Sequence, residues 1–487
     1  MAATNLRDRL ERIDAVRWRI PRAARPGMRV DGIVFGTEAM MDDLATGEAL
    51  EQVANVACLP GIRGASLAMP DIHWGYGFCI GGVAATDPSQ GGVISPGGVG
   101  YDINCGVRLL RSDLGEADVR PLLHDLAAAL QANVPAGVGT PGRHHFAQRE
   151  LRRLLEGGVP YLRALGFASD DDVACCEAYG RIDGAEADAL STRALERGAD
   201  QCGTLGSGNH FVEVQVVDRV EDPLAAERFG VVEGQVCVLI HTGSRGLGYQ
   251  VCDDALRALR GVPERYGIEL PDRQLACAPI HSDEGRAYLG GMRAAANFAF
   301  CNRQLLTGLV RETFEGVFGR PWSALGLELV YDVAHNIAKV ERHHVGGEAV
   351  EVCVHRKGAT RAFPAGHPDV PARYRDVGQP VIVPGDMGRA SWLLAGSEGA
   401  MRDAFGSSCH GAGRALSRKA ALRAAKGRDV RAELAARGIE ARAASRRGLD
   451  EEQPDAYKDV DDVVDVVHQA DLSRKVARLK PLVVIKG

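Results

Sequence analysis

Ser95-Pro-Gly-Gly-Val-Gly-Tyr-Asp-Ile-Asn-Cys-Gly106 is the stretch around which the rest of the chain can be read. Its four glycines in twelve residues permit turns closed to residues with side chains, and let a ligand approach the backbone closely. A loop of that composition serves a site. Asp102 and Cys105 stand three positions apart in it, a hard oxygen beside a soft sulfur, which suits a transition metal better than calcium or magnesium. A turn carboxylate next to a buried thiol is the competing reading of the pair.

Other isolated polar residues sit beside apolar runs. His210 enters the alternating segment Phe-Val-Glu-Val, His241 ends Val-Cys-Val-Leu-Ile-His, and His335 follows Leu-Glu-Leu-Val-Tyr-Asp-Val-Ala. Each reads as a residue at a strand end or on the turn after it, where a rigid scaffold presents site residues. Singly, each histidine is a satisfied polar residue. Together with Asp102 and Cys105, the three predict a metal site. Thiolate and imidazole ligands by themselves favour zinc.

Length and composition set the frame. The chain has 487 residues, 45% hydrophobic and 25% charged, enough for a large core. That length suggests two or three domains, but the Gly-rich signatures run from about residue 70 to the C-terminus, so one site draws on nearly the whole chain. A net charge of −6 argues against unspecific coating of nucleic acid and leaves room for a local basic groove. Twelve cysteines lack paired zinc-finger spacing, and Cys237 and Cys353 fall inside strand-like runs, the pattern of reduced thiols in a cytoplasmic protein. No secretory segment or membrane-length apolar run is evident.

Periodicity predicts a helix over 4–21 from Leu10, Ile13, Val16 and Ile20, broken by Pro21 and Pro26, and a second over 37–57. Residues 69–83 read as a turn-rich lead into a strand, with His73 either a site residue or a structural one. Helices are expected at 117–133, at 145–166, before Arg193 and Arg197 in the segment 167–200, and over 285–318, the longest. Strands are expected at 327–333, 348–354 and 379–384, and 415–447 is helical in character with breaks at Gly427 and Gly438. Irregular mixing of strands and helices predicts an α+β fold.

Three later stretches carry chemistry. Val381-Ile-Val-Pro-Gly-Asp-Met-Gly-Arg-Ala-Ser391 runs from a strand into a glycine turn able to expose backbone N–H groups to a phosphate. Ser408-Cys-His-Gly-Ala-Gly-Arg-Ala-Leu-Ser-Arg418 sets His410 ahead of a helix expected to carry Arg414 and Arg418 in its first turns, an anion site or a Gly-rich cap with two solvated arginines. Lys486 follows the apolar run Leu-Val-Val-Ile one residue from the end, which predicts a tucked-in terminus. Arg245 adds a cation directly after His241 on the loop His-Thr-Gly-Ser-Arg-Gly-Leu-Gly.

In order, YDINCGVR, LGSGNHFVEVQ, HTGSRGLG, YDVAHNIAKVE, HRKGATRAFP, SCHGAGRALSRK and VIKG closely resemble the RtcB family of RNA-splicing ligases. The resemblance covers roughly residues 60 to 487 and leaves 1–59 as a less characteristic N-terminal part, expected to be helical. It implies one large compact catalytic domain over 1–487, with a β-rich centre flanked by helices and a polar, metal-lined cleft. It also implies GTP- and manganese-dependent joining of RNA 3′-phosphate or 2′,3′-cyclic phosphate ends to 5′-hydroxyl ends, through a guanylated histidine and RNA-ppG, in tRNA splicing or RNA repair.

Carried over residue by residue, the resemblance implies that Asp102, Cys105 and His210 hold one metal, and Cys105, His241 and His335 a second. The family thereby replaces zinc by two Mn2+ ions. It makes His410 the guanylated residue. Asn209, Phe211, Glu213, Ser391, Tyr457 and Lys486 become nucleotide contacts, Glu213 otherwise supporting the metals from behind. Arg197, Arg245, Arg414 and Arg418 line the RNA or phosphate path. One position departs from the pattern: Asp386 stands where the family has a small hydroxyl residue, and its carboxylate would repel phosphates unless a metal or Arg389 offsets it. A metal-dependent phosphoesterase, a 3′-end guanylyl-capping enzyme and a non-catalytic RNA-binding protein are the rival functions. A monomer fits a compact chain of this size, and the need for an activating protein partner stays open.

Overall fold

The computed structural model describes residues 6–44 and 48–487. Its centre is an eight-stranded sheet in the order Glu328–Ala334, Gly106–Gly115, Gln235–Thr242, Phe211–Val220, Ser473–Lys486, Ser391–Gly396, Pro380–Val383, with Glu440–Ala443 added beside Ser473–Lys486. All of these pairings are antiparallel except that of Glu440–Ala443, which runs parallel to the last residues of the chain. Gln235–Thr242 is buried along its whole length, which explains why it reads as an unbroken apolar run rather than an alternating one.

A second, seven-stranded sheet is ordered Glu11–Arg12, Arg17–Ile20, Asp31–Phe35, Ile62–His73, Ile80–Thr86, Glu348–Lys357, Asn336–Val345. The chain passes from the first sheet to the second at His335, the one residue between Glu328–Ala334 and Asn336–Val345. The expected α+β architecture, β-rich at its centre and flanked by helices, is thus the one observed. Helix Asp283–Phe318 packs along the central sheet, with Met292, Phe298, Phe300, Leu306, Val310 and Phe314 in its core. Ser282 caps its start by accepting from the Gly285 N–H, and Gly319 (φ 65°) ends it in the left-handed conformation.

Several elements differ from expectation. Among the described residues of 4–21 there is no α-helix: a short 3-10 turn at Leu6–Arg9 precedes the strands Glu11–Arg12 and Arg17–Ile20. Residues 4 and 5 lie outside the described residues, as do 45–47 within the expected 37–57 helix. The latter is two helices, Glu38–Leu44 and Ala49–Val56. The region 415–447 holds Arg418–Ala424 and Val430–Ala436, separated near Gly427, and after Gly438 it turns into the strand Glu440–Ala443. Arg414 precedes the first of these helices and forms an isolated bridge with Tyr457, so only Arg418 stands in its first turn.

Candidate active site

The Gly-rich loop ends where Gly106–Gly115 begins, and its carbonyls and amides are tied from several directions. Arg303 of the long helix donates to the Asn104 carbonyl and to the Thr242 carbonyl, both at 2.9 Å, so one guanidinium holds the neighbours of Cys105 and His241. Asn336 donates to the Asp102 carbonyl at 3.1 Å, and the His335 N–H donates to the Cys105 carbonyl at 2.9 Å. Gly243 admits the Asp102 carboxylate, because a Cβ there would lie 2.3 Å from its Oδ1. Each of these contacts fixes a side chain that faces the seam between the two sheets.

Five expected metal ligands converge there as two groups, Asp102–Cys105–His210 and Cys105–His241–His335. Cys105 Sγ lies 3.5 Å from His210 Nε2 and 3.3 Å from His241 Nε2, and His241 Nε2 is 3.3 Å from His335 Nε2. Nδ1 of His210 is 3.1 Å from the Leu205 carbonyl. A proton on Nδ1 donates to that carbonyl and leaves Nε2 with a lone pair, 2.9 Å from the Asp102 carboxylate. Two acceptors at that distance need a proton or a cation between them. Without a cation the other tautomer also satisfies the ring, with Nδ1 accepting from Arg245 Nη1 at 2.9 Å and the Nε2–H donating to Asp102.

Burial lowers the pKa of His241 and His335 well below the ordinary histidine value, which keeps both rings neutral and able to ligate. Burial, then the Asp102 charge, pushes the Cys105 thiol well above its ordinary value, so a thiolate there requires a cation. For Asp102 burial opposes ionisation, yet its hydrogen bond and charge contact with His210 hold it down at about 2.

His410 follows the short strand Ser407–Cys409, and its ring meets that of His335 edge-on at 4.9 Å. Its Nδ1 is 2.5 Å from Asp71 Oδ2, and the same oxygen accepts from the backbone N–H of His410 at 3.0 Å and of Gly411 at 3.2 Å. An oxygen accepting three donors is a carboxylate, so Nδ1 carries a proton, which in the neutral ring puts the lone pair on Nε2. Burial raises the Asp71 pKa, but the His410 contacts outweigh it and the net direction is downward. Lys458 Nζ ties the flanking carbonyls of Pro70 and Ile72 at 3.1 and 2.8 Å.

Cys105, Asn209, Phe211, Glu213, His241, His335, His410, Arg414, Arg418, Tyr457 and Lys486 line one cleft. Strand pairing brings in the C-terminus: Lys486 is opposite Phe211, with its ammonium 5.3 Å from the ring centroid. The expected tucked-in terminus is therefore observed, with Lys486 5% exposed. Burial pushes Glu213 up to about 8, against the nearby Lys486 charge and a hydrogen bond from Gln215. Ser391 lies behind this wall, its hydroxyl accepting from Gln215 at 3.0 Å. Arg197 is away from the cleft lining, over the Tyr249 ring. Asp386 lines the cleft, 3.3 Å from Arg389, and burial raises its carboxyl to about 6.

Residue-type reasoning passed over Asp71, although a lone acid between Pro70 and Ile72 in an apolar strand is a signal. It also passed over Glu452, which is buried and receives Arg414 Nη1 at 3.1 Å, the Tyr457 hydroxyl, and Lys486 Nζ at 3.9 Å.

The family described as tRNA-splicing ligase RtcB matches residues 52–487. The chain belongs to the RtcB family. A tRNA-splicing ligase RtcB of Thermococcus kodakarensis is 54% identical over 98% of this chain and 99% of the relative. One of Archaeoglobus fulgidus is 53% identical over 99% and 100%. An RNA-splicing ligase RtcB of Mycobacterium bovis is 54% identical over 90% of this chain and all of the relative. In this RtcB chain every residue of the expected metal cluster is present and converges. Among the described residues no helix is long and apolar enough to cross a membrane, and all twelve cysteines are buried and free.

Proposed function

We propose that the protein is an RNA ligase that consumes GTP, with two manganese ions, to join 3′-phosphate or 2′,3′-cyclic phosphate RNA ends to 5′-hydroxyl ends. The observation that carries this reading is His410, whose Nδ1–H is held by Asp71 while its ring abuts His335 of the metal cluster. The donor set fits the ions, because the candidate ligand atoms of Cys105, His210, His241 and His335 stand 3.3–3.5 Å apart in succession, close enough to share cations. Asp102, Cys105 and His210 would hold one ion, and Cys105, His241 and His335 the other. Bound there, the ions would neutralise phosphate oxygens.

His410 Nε2 attacks the α-phosphorus of GTP. An N–P bond forms and the bond to the pyrophosphate oxygen breaks, while the Asp71 carboxylate balances the imidazolium. The guanylate then passes to an RNA 3′-phosphate oxygen as the N–P bond breaks, giving RNA-ppG. The RNA 5′-hydroxyl attacks the former 3′-phosphate phosphorus and GMP leaves. A cyclic phosphate is first opened by water to the 3′-phosphate. In this reading Asn209, Phe211, Glu213, Tyr457 and Lys486 hold the nucleotide, with Ser391 supporting Glu213 through Gln215. Arg245, Arg414 and Arg418 meet phosphates, and Arg197 meets RNA further out. Arg389 offsets Asp386. The chain acts as one ligase domain over 1–487, because the cleft and the Asp71 that supports His410 draw on residues from Asp71 to Lys486, and it acts as a monomer in the cytoplasm, a compartment that the free buried thiols support.

The test is incubation with α-labelled GTP and manganese, followed by denaturing electrophoresis. Label on the wild type that is acid-labile and absent from His410→Ala is the expected result, followed by ligation of 3′-phosphate to 5′-hydroxyl RNA. Release of phosphate from RNA ends by folded, metal-loaded protein that takes no label would establish the phosphoesterase instead. Accumulation of RNA-ppG without sealing would establish the capping enzyme.

A further inference from the structure

A row of aromatic rings leaves the metal cluster on the side of Asp102. Tyr101, the residue before Asp102, stacks on Tyr249 with centroids 4.8 Å apart and planes at 25°, and meets the edge of Tyr76 at 5.8 Å. Tyr249 lies on the helix Arg245–Ala258, whose first residue, Arg245, reaches His210. Tyr249 is the open end of the row at 47% exposed, Tyr76 and Tyr101 are half-buried, and Trp74, two residues before Tyr76, is 56% exposed. The Arg197 guanidinium stands 5.3 Å from the Tyr249 ring centroid, tethered by a 3.0 Å hydrogen bond to Gln250.

Tyr76 and Tyr101 also form one wall of a cavity of about 960 Å³, to which Arg260 and Arg273 contribute cations. Glu264 and Glu269 line it too, and its Arg257 is paired with Asp253 at 2.7 Å. The cavity is therefore close to charge-balanced, and attraction of a phosphate chain by charge alone does not explain it. Exposed aromatic faces beside a few arginines are what a single-stranded nucleic acid meets when its bases, rather than its phosphates, supply the contact.

We propose that this row is a base-stacking platform for the single-stranded RNA whose end lies at the metal cluster. Tyr249 receives a base, Arg197 swings from Gln250 to the adjoining phosphate, and Tyr101 and Tyr76 guide the strand into the cavity beyond. The proposal rests on the RNA-ligase reading and adds to it where the strand runs. Every base has a π-face, so the platform accepts RNA of any sequence.

The experiment measures binding of a fluorescein-labelled ten-nucleotide RNA with a 3′-phosphate to the metal-loaded full chain by anisotropy. Tyr249→Ala is expected to weaken binding about 5- to 150-fold, the factor to which ~1–3 kcal/mol per stacked base corresponds. Tyr249→Phe, which keeps the ring, is expected to restore it. In parallel, a 5-iodouridine RNA irradiated on the wild type is expected to crosslink to Tyr249 or Tyr101. A Tyr249→Ala affinity within twofold of wild type, failure of Tyr249→Phe to restore the loss, or absence of RNA binding by the wild type each overturns the platform. A change in binding of a protein rather than RNA would mark the row as a protein-docking surface and overturn it equally. A wild type that is guanylated on His410 but binds RNA independently of Tyr249 disproves the platform alone. One that takes no guanylate while its RNA binding depends on Tyr249 disproves the ligase reading alone.

Discussion

At His410 the position of one proton is set by one carboxylate oxygen. Asp71 Oδ2 accepts from the ring and from two backbone N–H groups, so Asp71→Asn keeps an acceptor for the backbone and removes only the charge opposite the imidazole. Guanylation is expected to slow by roughly 10²- to 10⁴-fold, the usual scale of an acid–base contribution, with metal content unchanged. Rapid-quench labelling with α-labelled GTP measures it, and a slowing under threefold would remove Asp71 from the mechanism. Asp386 gives a second test at this scale. Its carboxyl is raised from 3.8 to about 6, mainly by burial. Between those values the unfolded chain has lost the proton that the folded one keeps, so this residue makes stability fall as pH rises from about 4 to about 6. Asp386→Asn is expected to flatten that part of the stability curve, by on the order of 1–3 kcal/mol, in urea unfolding at each pH. An unchanged slope would show that Arg389 already neutralises the group.

Among the elements, the long helix Asp283–Phe318 carries the most direct link between packing and site. Its Arg303 is fully buried, pairs with Asp332 at 2.8 Å, and holds the backbone beside Cys105 and His241. Arg303→Met leaves those carbonyls without their donor and is expected to cost about 3–5 kcal/mol by urea unfolding and to loosen metal binding. A loss below 1 kcal/mol would mean that Arg108, also on Asp332 at 2.7 Å, suffices. This helix was legible in the sequence because its local signals agree: Ser282 at one end, Gly319 at the other, and an unbroken run between. The N-terminal segment was not, because two periods coexist in it. Leu10, Ile13, Val16 and Ile20 fit a helix, yet Val16, Trp18 and Ile20 also alternate. Pairing of Arg17–Ile20 with Asp31–Phe35 decides between them, leaving Ile13 51% exposed beside the turn that Asp14 closes by accepting from Val16 and Arg17. Arg414 was misplaced for a similar reason, since the start of its helix is fixed by Ser417, whose hydroxyl accepts from the Ala420 N–H, and not by the glycines before it.

Across the molecule, the candidate ligands were legible one by one and their meeting was expected from residue type, but the neighbours that each would meet were not legible. Nothing local to Lys486 names Phe211 as its partner; that neighbour follows from the register of Ser473–Lys486 on Phe211–Val220. Likewise His335 reads as the residue after a strand, while its position where the chain crosses between two sheets belongs to the tertiary fold. The motif order, by resemblance, supplied what periodicity lacked. The crossing has a mechanical consequence. His335 joins the two sheets, its N–H bonded to the Cys105 carbonyl and its carbonyl to the Ala359 N–H, while Cys105 precedes one strand of the first sheet and His241 lies in another, so an ion held by all three would reinforce that junction. Metal is therefore expected to raise the unfolding midpoint of the molecule as one transition, through a gain in stability of about 2.7 kcal/mol at a free concentration 100 times its Kd. Cys105→Ser, which removes the sulfur common to both groups, is expected to abolish most of the gain. Calorimetry with and without a chelator, alongside metal content, measures both. A protein that binds metal yet unfolds at the same midpoint would show that the unfolded chain holds the metal as tightly as the folded one, and that the cation does not reinforce the junction of the sheets in particular.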